Sequence, residues 1–229
     1  MNYWLIVPAA GKGQRFGSHI PKQYLSLQNK TVMECTLNRL SQLTQISQIV
    51  VPIHPQDTTA CTLSFENPKK ITFCEGGVER FDSVLAGLEH IAAQANVDDW
   101  VLVHDVARPC VRLEDIQKLI VELQHEPVGG ILAHPVRDTI KQANANSHII
   151  ATVPRQDLWQ ALTPQMFRFD VLYQALKHAK QQQMVVTDEA SAVELLGYQP
   201  KLVIGSHDNL KITFPSDLLL AQYILEQQV

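Results

Sequence analysis

Apolar positions along the chain alternate between two rhythms. Short β-branched runs predict strands at YWLIVPA (3–9), QIVVPI (48–53), KITFCE (70–75), WVLVHD (100–105), GGILAHPV (129–136) and KLVIG (201–205). Several are apolar enough to be buried on both faces. Between them, TVMECTLNRLSQL (31–43), RFDSVLAGLEHIAAQA (80–95) and LEDIQKLIVELQ (113–124) repeat apolar residues every three or four positions, as helices packed on a sheet do. Three further helices are expected at FRFDVLYQALKHAKQQ (167–182), TDEASAVELLG (187–197) and PSDLLLAQYILEQQ (215–228), with Ser216 and Thr187 as N-caps and Gly197 as a C-terminal stop. The alternation predicts a mostly parallel, doubly wound (Rossmann-like) α/β sheet, which binds ligands beyond the carboxyl ends of its strands.

One segment breaks the alternation. VRDTIKQANANSHIIATV (136–153) reads as two extended pieces around the turn-forming NANS, a β-hairpin inserted into the α/β core at about 136–155. An isolated hairpin is marginal in water, so this one is expected to be a dimerisation arm packing on a second copy of the chain.

Composition narrows the classes. The 229 residues, 45% hydrophobic and 18% charged, suit a globular chain read here as a single domain, and a net charge of −4 argues against nucleic-acid binding through a broad basic surface. No apolar run approaches the ~18 residues of a membrane span, and strand-like sequence from Tyr3 leaves no room for a leader, so a cytoplasmic protein is expected. Cys35, Cys61, Cys74 and Cys110 form no C-x-x-C pair, so neither a zinc site nor a disulfide framework is indicated.

Candidate chemistry gathers at the strand ends. VPAAGKGQRFGSHIPKQY (7–24) is neither a P-loop nor a dinucleotide fingerprint, since Phe16 stands where the third glycine would be. Its small residues Ala9, Ala10, Gly11 and Gly13 let backbone N–H groups approach a ligand, while Lys12, Arg15 and Lys22 supply positive charge, the outline of a triphosphate cradle. CEGGVERFDS opens a helix with Gly76 and Gly77. VLVHDVARPC puts Asp105 and Arg108 past one strand, and GSHDNLKIT puts Asp208 and Lys211 past another. Two carboxylates from separate strand ends suit Mg²⁺ shared with substrate phosphates.

These stretches, with PVRDTIK, LTPQMF and TDEASAVE, resemble in order the 2-C-methyl-D-erythritol 4-phosphate cytidylyltransferases, across essentially the whole chain and at the length of the single-function form. The resemblance implies that Arg15 and Lys22 act on the triphosphate of CTP, wrapped by the backbone of Ala9 to Gly13. Gly77, Arg80 and Ser83 would line the cytosine and ribose side, and Asp105 and Asp208 would face the metal. Arg108, Thr139 and Lys211 would seat the methylerythritol phosphate, joined by Arg155 from the partner's arm. Val78, Val106 and Pro154 depart from residues common in that family. Two alternatives are a ribitol 5-phosphate cytidylyltransferase and a catalytically idle nucleotide-binding regulator; a sugar-1-phosphate nucleotidyltransferase is more distant.

Overall fold

A computed structural model of the chain describes residues 1–11 and 20–228. Its strands are β1 (Tyr3–Ile6), β2 (Ser26–Leu27), β3 (Lys30–Thr31), β4 (Ile46–Ile53), β5 (Ile71–Glu75), β6 (Trp100–Val103), β7 (Gly129–Pro135), β8 (Ile140–Ala143), β9 (Ile149–Val153), β10 (Trp159–Arg168) and β11 (Lys201–Ile204). Helices are α1 (Val32–Ser41), α2 (Arg80–Ile91), α3 (Leu113–Leu123), α4 (Phe169–Gln181), α5 (Glu189–Glu194) and α6 (Pro215–Gln227).

Seven strands form one sheet in the order β11-β7-β10-β6-β1-β4-β5. β10 runs antiparallel to both neighbours, while the β1–β4, β1–β6, β4–β5 and β7–β11 pairs are parallel. The expected mostly parallel sheet is therefore present, with one reversed strand, β10, between β7 and β6. Side chains alternate between the faces because a strand has a two-residue period. Leu5, Ile49, Val51, Leu102 and Met166 pack with Leu37 of α1 and Leu119 of α3 on one side. Trp4, Ile6, Val50, Val101, Val103 and Phe167 pack with Leu88 of α2, Leu172 and Leu176 of α4 and Val193 of α5 on the other. Two buried layers on one sheet explain why these strands read as nearly continuous apolar runs.

The inserted hairpin is β8 paired with β9 as a separate two-stranded sheet, its base closed where the Val136 N–H donates to the Leu158 carbonyl at 2.9 Å. Ile149 and Ile150 on it are exposed.

The sequence expectation needs three corrections. Nothing in it anticipated β10, and the helix expected from Phe167 begins at Phe169, after that strand ends. The cap of α5 is Asp188 rather than Thr187: its carboxylate accepts from the Ser191 N–H at 2.9 Å. Ser216 lies inside α6, whose cap position is Phe214 because Pro215 fills the first turn, where a missing N–H costs nothing. The Asp217 carboxylate instead reaches back to the N–H groups of Thr213 and Phe214, both at 2.8 Å. Gly197 does end its segment, at φ +83°, a backbone state that favours glycine.

Candidate active site

Five segments converge beyond the carboxyl ends of the parallel strands. The β1 ladder continues past Ile6, with the Ala9 N–H donating to the Pro52 carbonyl at 2.8 Å, which fixes where Ala9 to Gly11 leave the sheet. Gln23, 3% exposed, donates from Nε2 to the Ala9 carbonyl at 3.0 Å and to the Gly11 carbonyl at 3.5 Å. It ties the turn carrying Lys22 back onto the first loop. Among the described residues, a Cβ at Gly11 would meet nothing within 4 Å. Gly13 and Arg15, with Lys12, lie outside the described residues.

The second loop is built on close approach. The Gly76 N–H donates to the Ile53 carbonyl at 2.7 Å, and a Cβ on Gly76 would come within 2.7 Å of the Ala10 Cβ. Glycine thus lets the β5–α2 loop sit directly against the β1 loop. Ser83 of α2 shapes its next residue, its Oγ accepting from the Gly77 N–H at 3.2 Å and lying 3.3 Å from the Gly77 carbonyl. Val78 beside them is fully exposed.

The charged centre is Asp105, 7% exposed just beyond β6. Its Oδ1 accepts from Arg80 Nε at 2.7 Å, while Oδ2 faces Lys211 Nζ at 2.8 Å and Arg108 Nε at 3.5 Å. Burial opposes the charge of Asp105, but Arg80, Lys211 and Arg108 together hold its carboxyl well below the usual range. Arg80 extends the cluster: Nη1 and Nη2 bond the two oxygens of Glu189 at 2.6 and 3.0 Å. Burial works against the Arg80 guanidinium, yet Glu189 and Asp105 raise its pKa above the ordinary arginine value. Arg108, also buried, donates from Nη1 to the Asn209 carbonyl at 2.6 Å, which holds the segment carrying Lys211 against it. The Ile212 N–H to Ala107 carbonyl bond at 2.8 Å does the same, and Lys22 Nζ lies 3.5 Å from the Ile212 carbonyl. Three cations thus face two carboxylates, leaving net positive charge for an anionic substrate.

His104 behind Asp105 is structural. The Asp105 N–H donates to Thr163 Oγ1 at 3.1 Å, so that hydroxyl donates to His104 Nδ1 at 3.0 Å. The proton is left on Nε2, which bonds the Arg108 carbonyl at 3.1 Å. Burial pushes the imidazole down to about 4, so it is neutral at pH 7. Thr163 comes from β10, where the ladder with β7 shifts register between Ala161 and Gln165.

Arg80, Asp105, Arg108 and Lys211 are therefore joined in one network, with Lys22 and the Ala9–Gly11 and Gly76–Gly77 loops beside it. Asp208 belongs to a different set: its Oδ2 is held by Arg112 Nη2 at 2.6 Å and by Gln228 Nε2 at 3.1 Å, and among the described residues it shares no partner with Asp105. Among the described residues the exposed side chains of Thr139 and Arg155, at either end of the hairpin, make no hydrogen bond or ion pair with the Asp105 network. Sequence reasoning missed Glu189, Gln23 and Thr163. Glu189 could have been found by spacing, since it stands three and four positions before Ala192 and Val193, on the buried face of α5.

Comparison of the whole chain with known proteins gives its family. Residues 3–227 match the family described as IspD, 2-C-methyl-D-erythritol 4-phosphate cytidylyltransferase. The chain belongs to that family. The cytidylyltransferase of Aliivibrio fischeri (strain MJ11) is 49% identical over 222 residues, 97% of this chain and 93% of that protein. That of Hahella chejuensis is 48% identical over 224 residues, 98% of this chain and 93% of that protein. The crystal structure of the Francisella tularensis cytidylyltransferase superposes with a TM-score of 0.85 at 38% identity, covering 98% of this chain and 100% of that one. Cytidylyltransferases of this family are nucleotidyltransferases on this same mixed, mostly parallel sheet.

Proposed function

We propose that the chain catalyses the family reaction, joining CTP and 2-C-methyl-D-erythritol 4-phosphate to give 4-diphosphocytidyl-2-C-methyl-D-erythritol and pyrophosphate. Family membership over 3–227 carries the substrates, and the cationic network at the strand ends carries the chemistry. Neither ribitol 5-phosphate nor an idle binding role is favoured by these findings.

The acceptor is a phosphate monoester with a second pKa near about 6, so it is mostly a dianion at pH 7 and needs no general base. It attacks the α-phosphorus of CTP in line; the new P–O bond forms as the bond to pyrophosphate breaks, and the electron pair leaves on pyrophosphate. The obstacle is bringing anions together. Arg108 and Lys211 seat the acceptor phosphate, and Lys22 with Arg15 meets charge developing on the triphosphate. The backbone of Ala9 to Gly11 and Gly77 encloses the nucleotide. Neutral His104 takes no proton in this scheme, in keeping with its burial.

A divalent cation fits this site in one of the two arrangements considered. Asp208 is committed to Arg112, which disfavours a two-carboxylate site. Asp105 fits only by exchange: Lys211 Nζ, on a side chain 37% exposed, stands 2.8 Å from its Oδ2 and would have to give up that oxygen to a bound cation. Asp105 with substrate phosphate oxygens would hold Mg²⁺, which supplies charge neutralisation when bound.

We further assign the hairpin to a homodimer contact, through which Arg155 would reach a partner's acceptor site, and we place the enzyme in the cytoplasm. Exposed Ile149 and Ile150 on the hairpin support that reading. The direct experiment is pyrophosphate release with Mg²⁺ and CTP, comparing methylerythritol phosphate with ribitol 5-phosphate. Release with the first acceptor alone is expected; preference for the second, or none with either, would overturn the assignment.

A further inference from the structure

Glu189 is the first residue of α5 and is 0% exposed, a carboxylate placed where water cannot solvate it. Such a group is retained only with a partner that satisfies it, and Arg80 does so bidentately at 2.6 and 3.0 Å. The same guanidinium sends its remaining nitrogen, Nε, to Asp105 Oδ1 at 2.7 Å. Each of the three Arg80 nitrogens is committed to a carboxylate, and the planar fork fixes the angle between those commitments.

The position of Glu189 is itself built. Gln165 of β10 accepts from the Ala190 N–H at 2.9 Å through Oε1 and donates to the Asp188 carboxylate at 2.8 Å through Nε2, locking the start of α5. A chain of direct bonds therefore runs from β10 through α5 and α2 to the one carboxylate at the centre of the site.

We propose that Glu189 is a positioning residue for the reaction and that Arg80 serves Asp105 rather than reading cytosine or ribose. By holding both terminal nitrogens of Arg80, Glu189 presents only Nε to Asp105. That directs Arg80 to Oδ1 and leaves Oδ2 to face Lys211, Arg108 and the substrate side. Without Glu189 the guanidinium would be free to turn both ends onto Asp105, competing for Oδ2. This inference rests on the cytidylyl-transfer reading, in which Asp105 acts at the reacting phosphates.

The test is a double-mutant cycle on the full chain with Glu189→Gln and Asp105→Asn, reading single-turnover cytidylyl transfer and urea unfolding. Glu189→Gln is expected to slow transfer about 10- to 100-fold per folded molecule, but less than about 3-fold once Asp105→Asn is present, because acting through one group makes losses non-additive. Equal fold-losses in both backgrounds, or stability loss with undiminished transfer per folded molecule, would overturn the proposal. Arg80→Lys keeps the charge but bridges only one carboxylate; it is expected to give the same non-additive pattern and decides the matter if Glu189→Gln does not fold. Wild-type turnover in the same assay reads the function itself, so a failed cycle beside an active wild type refutes only the role of Glu189.

Discussion

Gly76→Ala tests whether the nucleotide site is assembled by the contact of two loops. The added Cβ would lie 2.7 Å from the Ala10 Cβ, 3.0 Å from Ser83 Oγ and 3.2 Å from the Ile53 carbonyl oxygen. Neither a backbone carbonyl nor an alanine methyl can rotate aside, so the loops must separate by several tenths of an ångström. Overpacking of this kind costs about 1–3 kcal/mol. Replacing glycine reduces the entropy of the unfolded chain, which returns about 0.4–1 kcal/mol. The net loss is centred near about 1.3 kcal/mol and at most about 2.6, or a Tm lowered by about 3–5 °C at the centre for a chain of this size. Because the displaced wall is Ala10, the KM for CTP should rise severalfold while that for methylerythritol phosphate stays near wild type. Differential scanning calorimetry and initial rates measure both. An unchanged Tm with an unchanged KM for CTP would mean that the two loops do not depend on each other, and the argument for a shared nucleotide wall would fail.

Lys22→Ala should reduce turnover about 100-fold or more while moving the unfolding midpoint little, since the Lys22 ammonium is assigned to transition-state charge; comparable losses in both would remove that role. Arg155→Ala should raise the KM for the polyol phosphate and leave that for CTP unchanged, and sedimentation should show a dimer; a raised KM for CTP would displace the arm from the acceptor side. His104 sets a pH dependence of stability. Its folded pKa, about 4, lies below the unfolded value near about 6.5, so the unfolded state binds the extra proton between them. Its contribution is complete above the unfolded value and is lost as pH falls through that window, by up to about 3 kcal/mol. Urea midpoints from pH 7 to pH 4.5 should fall more steeply in wild type than in His104→Gln, the carboxylates contributing equally to both; identical slopes would refute it.

The parts of the fold that were legible are those in which one local pattern decides the outcome. Strands buried by helices on both faces must be apolar throughout, and the runs from Tyr3, Gln48 and Trp100 were found for that reason, while the half-buried edge strand β5 was found by its β-branched and aromatic residues. β10 was hidden because Pro164 interrupts its run, and proline normally demotes a strand. The structure tolerates it where the ladder to β7 shifts register between Ala161 and Gln165, so the missing N–H falls where regular pairing is already broken. That same irregularity brings Thr163 to the Asp105 N–H, so the feature that concealed the strand also builds the site.

The strand-end residues were legible one at a time, but their pairings were not. Asp105 and Asp208 look equivalent in sequence, each a carboxylate in a loop after a strand. What separates them is partners distant along the chain: Arg112 closes on Asp208 from the start of α3, whereas Arg80 and Lys211 close on Asp105 from either side. A carboxylate held by a single arginine is neutralised. One surrounded by three cations, with a second carboxylate sharing the first arginine, sits in a field whose sign favours phosphate. In the proposed reaction Asp105 would serve as the counter-ion that keeps Arg108 and Lys211 close together until an anionic substrate takes its share of them. Removing its charge should therefore weaken the seating of the acceptor even though the site becomes more positive.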